Sequence, residues 1–197
     1  MADLHMVHPG PLPTRVRQSR DPAVRLRAAG VADAPALGSL LQESFPDWDW
    51  TTERARAELI DGPSIRRVWL AHCGDAVIGT ASERIVEKGG HKQGEVFWVA
   101  VSPASRGLGV GALVTSAVLA GFAEAGLSRA LLDTQDDKAV AIGMYLQFGF
   151  IPFPRSEAEE VIWSQLVSAI TSRREGPSGL ASAAAGQASA GAGPGAA

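Results

Sequence analysis

The spacing of apolar residues along the chain alternates between the repeat of a helix and the repeat of a strand. Leu37, Leu40, Leu41 and Phe45 recur three or four residues apart, which predicts a helix that follows Asp33 as its N-cap. A second helix is predicted from Thr51 or Thr52 to residue 60 and a last one over 138–148, before Gly149. The longest helical pattern ends at Gly126 and has on one face Leu113, Val114, Ala117, Val118, Phe122 and Ala125.

Short apolar or alternating segments predict strands between these helices. The predicted strands are 24–27, 66–71, 76–86, 95–101, 129–133, 150–153 and 161–166. Gly74-Asp75 is a turn signal, and residues 87–94 are expected to form a polar loop. Helices and strands mixed in this order predict an α/β fold, in which helices pack on a mixed sheet.

The two ends of the chain lack a sustained helix or strand period. Residues 1–21 contain Pro9, Pro11 and Pro13, and residues 176–197 are almost wholly Gly, Ala, Ser and Pro, which offer little large apolar surface to offset the entropy of ordering. We therefore predict a disordered extension over 1–21, a folded domain over 22–170 and a disordered tail over 171–197. His5 and His8 are expected to be solvent-exposed rather than metal ligands.

Composition narrows the class of protein. The 197 residues are 46% hydrophobic and 20% charged, and a formal net charge of −3 without a basic block argues against a nucleic-acid partner. The most apolar stretch, 110–122, is shorter than the roughly 20 residues of a membrane span, and no signal peptide is expected. Cys73 is the only cysteine and cannot form an internal disulfide, so a reducing cytoplasm is the expected location.

The segment Arg106-Gly107-Leu108-Gly109-Val110-Gly111 joins a predicted strand to the longest predicted helix. A helix that begins near Gly109 presents unpaired backbone N–H groups and the positive end of its dipole. Glycines at alternate positions let an anion approach the backbone closely, and Arg106 adds a charge suited to phosphate oxygens. The segment predicts binding of a diphosphate; the alternative is a tight turn that holds no ligand.

A dinucleotide cofactor is the rival ligand for this segment. Gly107, Gly109 and Ala112 fit the pattern Gly-x-Gly-x-x-Gly/Ala, and Asp133 ends the next predicted strand as a ribose-binding acid would. Residues 102–106, however, separate the glycines from the preceding strand. Too few residues follow to complete the usual set of parallel strands, so this interpretation is the weaker one.

Two motifs in this order resemble the GNAT superfamily of N-acetyltransferases. Arg106, Gly109 and Gly111 match the acetyl-CoA signature Gln/Arg-x-x-Gly-x-Gly/Ala, and the second motif is a helix that reaches Tyr145 and ends at Phe148-Gly149-Phe150. The resemblance covers about 24–166. It implies a mixed, mostly antiparallel central sheet with splayed central strands and helices on both faces, and acetyl-CoA bound in the V-shaped opening between those strands.

The resemblance also implies how the cofactor is held. The backbone of Val99, Ala100 and Val101 would pair with the pantetheine arm. The pyrophosphate would lie on the N–H groups of residues beside Arg106, namely Gly107, Leu108, Gly109, Val110, Gly111 and Ala112. Lys138 stands where the family often has asparagine; it either reaches a cofactor phosphate or is solvated, and solvation is the favoured interpretation.

Two residues match the family's catalytic positions. Tyr145, the only tyrosine, stands at the position of the proton donor to the departing thiolate, and a phenol with a reference pKa of about 10 is protonated at neutral pH. Its alternative role is that of a packed helix residue. Glu95 resembles the general base of the histone-acetylating branch, with a solvated strand-end glutamate as the alternative.

The expected activity is acetyl transfer from acetyl-CoA to a primary amine by direct attack in a ternary complex. Cys73 lacks any cue for a nucleophile, and His72, Cys73 and His91 lack the spacing of a metal site. The alternative, from another class, is a non-catalytic acyl-CoA sensor or scaffold. Homodimers are frequent in the resembling family, so a homodimer is one expected assembly.

The acceptor amine is the least constrained part of the prediction. Residues 45–50 alternate acidic and aromatic side chains, which would suit a cationic amine, but the favoured interpretation is that both tryptophans anchor a long turn against the core. Glu157, Glu159 and Glu160 either add negative potential or lie in a solvated loop. Small amines, antibiotics and protein amino groups all stay open as acceptors.

Overall fold

The computed structural model describes residues 2–175, which form a seven-stranded sheet with helices on both faces. The strands are β1 (Asp3–His8), β2 (Val24–Ala28), β3 (Ile65–Cys73), β4 (Ala76–Lys88), β5 (His91–Val101), β6 (Ala130–Gln135) and β7 (Ile151–Pro152). The helices are α1 (Ala34–Ser44), α2 (Thr52–Ala55, continued by a π-helical turn over Arg56–Ile60), α3 (Val110–Glu124), α4 (Ala139–Gln147) and α5 (Glu157–Glu175).

The strand order is β2-β3-β4-β5-β6-β1-β7, and only the pairing of β5 with β6 is parallel. This confirms the predicted mixed, mostly antiparallel sheet. Within the described part of the chain, no helix is long and apolar enough to cross a membrane.

Two apolar clusters lie on opposite faces of the sheet. Helices α3, α4 and α5 cover one face, where Phe122, Ile142 and Trp163 pack together. Helices α1 and α2 cover the other, where Leu37 and Leu59 belong to the same cluster as strand residues of β3. Successive residues of a strand point to opposite faces, so Val68 and Leu70 join the α1 cluster while Trp69 and Ala71 join the α3 cluster.

The predicted disorder of residues 1–21 is wrong for residues 3–8, which form β1 in the interior of the sheet. Asp3 to His8 pair antiparallel with Gln135 to Ala130, and β7 pairs with the other side of β1. Leu4 and Met6 are buried in the α3 cluster, which supplies the apolar surface that offsets the ordering entropy. His8 is buried and His5 half-buried, so the prediction that both are solvent-exposed is also wrong.

Two further predicted elements differ in the structure. The expected loop over 87–94 is instead the end of β4 and the beginning of β5, joined at Gly89-Gly90, where both φ angles are positive. The expected strand over 161–166 lies inside α5. Its apolar residues continue at helical spacing and pack against the α3 cluster at Ile162, Trp163, Leu166, Val167 and Ile170.

Both predicted N-cap residues stand at the beginnings of their helices, but only one of them caps through its side chain. Thr51 Oγ1 accepts a hydrogen bond from Arg54 N at 3.1 Å, which confirms Thr51 as a cap. Asp33 stands at the N-cap of α1, but its carboxylate accepts from Gly30 N and from the Arg27 guanidinium rather than from the helix. Helix α5 begins after Ser156 and continues to Glu175, so the predicted disorder of residues 171–197 is wrong for residues 171–175. Residues 176–197 lie outside the described residues.

Candidate active site

Strands β5 and β6 are paired at one end only, which leaves a fork in the middle of the sheet. Their partners are Gly94 with Ala130 and Glu95 with Leu131, and no pair follows. Residues 96–101 of β5 therefore keep β4 on one side but lack a strand on the other. Backbone N–H and C=O groups in the interior of a sheet need partners, and an extended ligand can supply them. The open edge includes Val99, Ala100 and Val101, where the pantetheine arm is expected.

A bulge in β5 shapes the α1 side of this fork. The register with β4 shifts between Thr80 and Ser82, and Trp98 adopts a positive φ of 46°. The extra residue turns both Phe97 and Trp98 toward the α1 cluster. Trp98 then meets four aromatic rings edge-on at centroid distances of 4.8–5.7 Å: Phe45, Trp48, Trp50 and Phe97.

The two tryptophans of residues 45–50 have different surroundings. Trp50 is 4% exposed and anchors the turn on the core, as the interpretation of these tryptophans as turn anchors predicts. Trp48 is 47% exposed. The Arg54 guanidinium lies 4.6 Å from the centre of the Trp50 ring and 5.6 Å from that of Trp48, so a cation of the chain itself already faces both rings.

The glycine loop lies at the open end of the fork. Gly107 and Gly109 have φ angles of 81° and 79°, which strain any residue with a Cβ. Gly109 is the N-cap of α3, so the N–H groups of Val110, Gly111 and Ala112 precede the first bond within the helix, from Leu113 N to Gly109 O. Arg106 is exposed beside them. The loop thus offers a cluster of backbone donors with a guanidinium nearby.

Helix α4 packs against the beginning of α3. A Cβ built on Gly111 would lie 3.4 Å from Met144 Sδ and 3.6 Å from Val101 Cγ2, so three elements of the site meet at this glycine. The Gly-Phe motif closes α4, because Gly149 N donates to Leu146 O and Phe150 N donates to Tyr145 O, both at 3.1 Å, as in a Schellman motif. The motif also brings the Phe150 ring against Tyr145, with centroids 6.0 Å apart.

The Tyr145 side chain is almost completely buried. It is 6% exposed, and burial raises the pKa of its phenol above the usual value of 10, so the hydroxyl keeps its proton at any physiological pH. The ring packs in the α3 cluster.

Comparison with known proteins identifies the family. Residues 34–150, more than half of the chain, match the acetyltransferase (GNAT) family. This chain belongs to the GNAT family. A mycothiol acetyltransferase of Amycolatopsis mediterranei is 32% identical over 145 residues, which are 68% of this chain and 43% of that protein. The chain spans less than half the length of the curated mycothiol acetyltransferases that it matches.

Solved GNAT structures have the same fold. An N-acetyltransferase from Sphaerobacter thermophilus aligns with a TM-score of 0.60 and 18% identity, over 77% of this chain and 48% of its own. The structure of AAC(6')-Iy in complex with a CoA-containing bisubstrate analogue aligns with a TM-score of 0.58 and 17% identity, over 68% of this chain and 94% of its own. At these identities the likeness concerns the fold.

Glu95 lies at the closed end of the GNAT fork and is not the solvated strand-end residue of the alternative interpretation. It is 6% exposed, and its Oε2 is 3.0 Å from Arg84 Nε. Burial raises the pKa of the Glu95 carboxyl, and the positive charge of Arg84 opposes part of that rise. The Arg84 guanidinium itself stacks 4.3 Å from the centre of the Phe97 ring. A buried carboxylate is therefore held next to the position where the two strands separate.

The remaining candidate residues of the sequence analysis have their ion-pair and strand partners outside the unpaired part of β5. Lys138 is exposed and its Nζ forms an ion pair of 2.7 Å with Asp137, which agrees with the interpretation that it is solvated. His72 and Cys73 end β3, whereas His91 begins β5 at the far end of β4, opposite Lys88. Among residues 2–175 no three His, Cys, Asp or Glu side chains group as a metal site requires.

A charged cluster beside β6 was missed by the sequence analysis. His5 Nδ1 lies 3.1 Å from both carboxylate oxygens of Glu159, and His5 Nε2 lies 3.9 Å from Asp133 Oδ1. Glu159 is buried in the first turn of α5, not in a solvated loop, and it accepts hydrogen bonds from His5 N and Arg155 N. The alternation of Leu4, His5 and Met6 was the only sequence signal for this cluster.

Proposed function

We propose that this chain is an acetyl-CoA-dependent N-acetyltransferase that transfers the acetyl group to a primary amine by direct attack in a ternary complex. The observation that carries this proposal is that the unpaired edge of β5 leads into the glycine loop at the beginning of α3, where Val101 and Met144 of α4 both lie close to Gly111. Membership of the GNAT family supports acetyl-CoA as the co-substrate.

The groups of the opening fit such a co-substrate. Acetyl-CoA would supply the activated thioester. The backbone of Val99, Ala100 and Val101 would pair with the amides of the pantetheine arm, since β5 has no strand partner there. The N–H groups from Gly107 to Ala112 would bind the pyrophosphate, and the exposed Arg106 would add a positive charge.

Tyr145 would act as the proton donor. Its raised pKa keeps the proton on the hydroxyl, which can therefore donate to the sulfur as negative charge develops there during departure of the thiolate. A phenylalanine would fill the same pocket against Phe150 without a proton to donate. The donor role therefore depends on a single oxygen atom.

Glu95 would take the proton of the attacking ammonium group, directly or through a water molecule. A general base works best when its pKa lies near the working pH, and burial moves the pKa of Glu95 upward in that direction. The ion pair with Arg84 keeps a charged form available in a buried place. The position at the closed end of the fork would put this carboxylate on the acceptor side of the thioester.

A primary amine that carries positive charge is the acceptor that the surroundings favour. Asp133 lies in β6, one strand of the fork, with its side chain half exposed, so its carboxylate adds negative charge there. The named activity of the curated relatives makes the acceptor of mycothiol acetyltransferases the first compound to test.

The test is a screen for release of free CoA thiol from acetyl-CoA with a panel of amines. The panel contains the acceptor of mycothiol acetyltransferases, aminoglycosides and peptides with free amino groups, and Tyr145→Phe is the control protein. Amine-dependent thiol release by the wild type supports the proposal. Binding of acetyl-CoA in calorimetry without thiol release for any amine would favour a non-catalytic sensor, and thermal stabilisation by NAD alone would contradict the cofactor.

A further inference from the structure

Residues 16–21, which we call the crossing segment, run over the outer side of helix α3 on the way from β1 to β2. Arg17 N donates to Ser116 Oγ at 2.8 Å, which ties the segment to α3. The Arg17 guanidinium lies 4.1 Å from the centre of the Phe148 ring at the end of α4. The crossing segment is thereby fixed to both helices that border the glycine loop.

The crossing segment also contacts the glycine loop itself, and it does so through carbonyl oxygens. Arg20 N and Ser19 Oγ both donate to Leu108 O at 2.8 Å. Arg20 Nη1 donates to Gly107 O at 3.1 Å. Three donors therefore hold two successive carbonyl groups of the loop on the side of the crossing segment.

Planar trans peptides turn this contact into a constraint on the neighbouring N–H groups. The C=O and N–H of one peptide unit point in opposite directions, so fixing Gly107 O and Leu108 O aims the N–H groups of Leu108 and Gly109 away from the crossing segment. Gly107 and Gly109 have a wide choice of φ and ψ and do not by themselves fix the orientation of these peptides. The three hydrogen bonds supply the orientation that the glycines lack.

We propose that Ser19 and Arg20 are positioning residues for the pyrophosphate of the co-substrate: they act through the loop carbonyls and keep the opposite N–H groups aimed at the ligand. This inference rests on the proposed function, because it presupposes that CoA binds at the loop. It places part of the cofactor site about 90 residues before the glycine motif, with 89 residues separating Ser19 from Leu108. Neither residue needs to touch the ligand.

The test compares CoA with pantetheine, which lacks the pyrophosphate together with the rest of the nucleotide. CoA binding is measured by calorimetry and pantetheine binding by NMR titration, for the wild type and for Ser19→Ala. Loss of one neutral hydrogen bond to Leu108 O is expected to weaken CoA binding roughly three- to tenfold. Pantetheine, which has no pyrophosphate, is expected to bind both proteins equally. Ser19→Thr retains a hydroxyl and is expected to restore most of the affinity for CoA.

The matched control is Ser39→Ala, since the Ser39 hydroxyl also donates to a backbone carbonyl, Pro35 O, but on the exposed side of α1. Arg20→Gln is a second variant, which removes the guanidinium that donates to Gly107 O and can be measured even if Ser19→Ala does not fold. Its CoA affinity is measured at low and high salt, because salt screens a loss of charge whereas a loss of loop geometry persists.

Equal weakening of CoA and pantetheine, or unchanged CoA affinity in both Ser19→Ala and Arg20→Gln, would overturn the inference. A wild-type protein that fails to bind CoA would instead refute the proposed function. The two failures are therefore distinguishable.

Discussion

At the scale of single residues, the site holds two buried ionisable groups whose pKa values move for the same reason. Burial disfavours the charged form of both Tyr145 and Glu95. For the tyrosine this preserves a proton donor. For the glutamate it moves the pKa toward neutral pH. Ionisation of the buried carboxyl then lowers the free energy of unfolding.

The role of Tyr145 predicts a selective defect in turnover. We expect Tyr145→Phe to lower kcat roughly 100-fold, because the leaving thiolate loses its proton donor, while the KM for acetyl-CoA changes less than about threefold. Steady-state kinetics with the amine found in the screen measures both constants. Loss of acetyl-CoA affinity in the same proportion as kcat would assign Tyr145 a packing role.

Glu95 predicts opposite effects on activity and stability. Glu95→Gln is expected to lower kcat about 100-fold at pH 7 but to leave the midpoint of thermal unfolding unchanged or higher. Because the pKa of Glu95 is higher in the folded than in the unfolded protein, the folded protein binds more protons at pH values between the two. Its stability therefore falls as pH rises from about 4.5 through the raised pKa.

Unfolding of wild type and Glu95→Gln at several pH values tests this linkage. The pH-dependent loss assigned to Glu95 should disappear in the variant. A lower unfolding midpoint for Glu95→Gln at pH 7 would show that the ion pair with Arg84 outweighs the cost of burial.

At the scale of elements, Glu159 joins α5 to β1. Its carboxylate accepts from His5 N at 2.7 Å and from Arg155 N at 2.8 Å. Although its burial would raise the pKa, these hydrogen bonds lower it, so the stabilisation is present above the unfolded pKa of about 4.5 and is lost as pH falls through the folded value. The beginning of α5 thus depends on an ionised carboxylate.

Glu159→Ala is expected to lower the free energy of unfolding by about 2–3 kcal/mol at pH 7, because two backbone donors lose a charged acceptor. Chemical denaturation measures the change. The adjacent exposed Glu160→Ala is the matched control and should change stability by less than about 0.5 kcal/mol. Equal effects of the two substitutions would contradict this account of the junction.

The elements also show what the sequence could and could not predict. Helix α3 was recognised because six apolar residues share one face and Gly126 ends it, a signal contained within the helix itself. Helix α5 was misread because the short run Val161-Ile162-Trp163 resembles a strand until the pattern is followed to Ile170. For Glu95 the motif position was informative, but burial and the ion pair with Arg84 depend on side chains from another strand.

At the scale of the whole molecule, the sheet is completed by a strand that the sequence analysis placed in a disordered extension. Six residues contain too few inward positions for a clear strand period, and three prolines follow within five residues. The decisive information is the unpaired edge of β6, which only the assembled fold provides. The same limit explains why the crossing segment could not be connected with the glycine loop.

Leu4→Ala therefore tests the whole sheet. Leu4 is fully buried, and its truncation is expected to lower the free energy of unfolding by about 2–5 kcal/mol, as for other buried leucines. Val16→Ala, at an exposed valine of the crossing segment, should stay within about 0.5 kcal/mol of the wild type. Urea denaturation gives both values, and no loss in Leu4→Ala would favour a disordered N-terminal region.

The place of β1 between β6 and β7 has a consequence for synthesis on the ribosome. Ala2 is hydrogen-bonded to Asp136, 134 residues later in the chain, so this strand leaves the exit tunnel long before its neighbours exist. Until then the nascent chain carries an apolar strand with both edges free. The sheet can close only after translation has passed residue 152. Chaperone dependence during synthesis should accordingly decrease when residues 3–8 are removed.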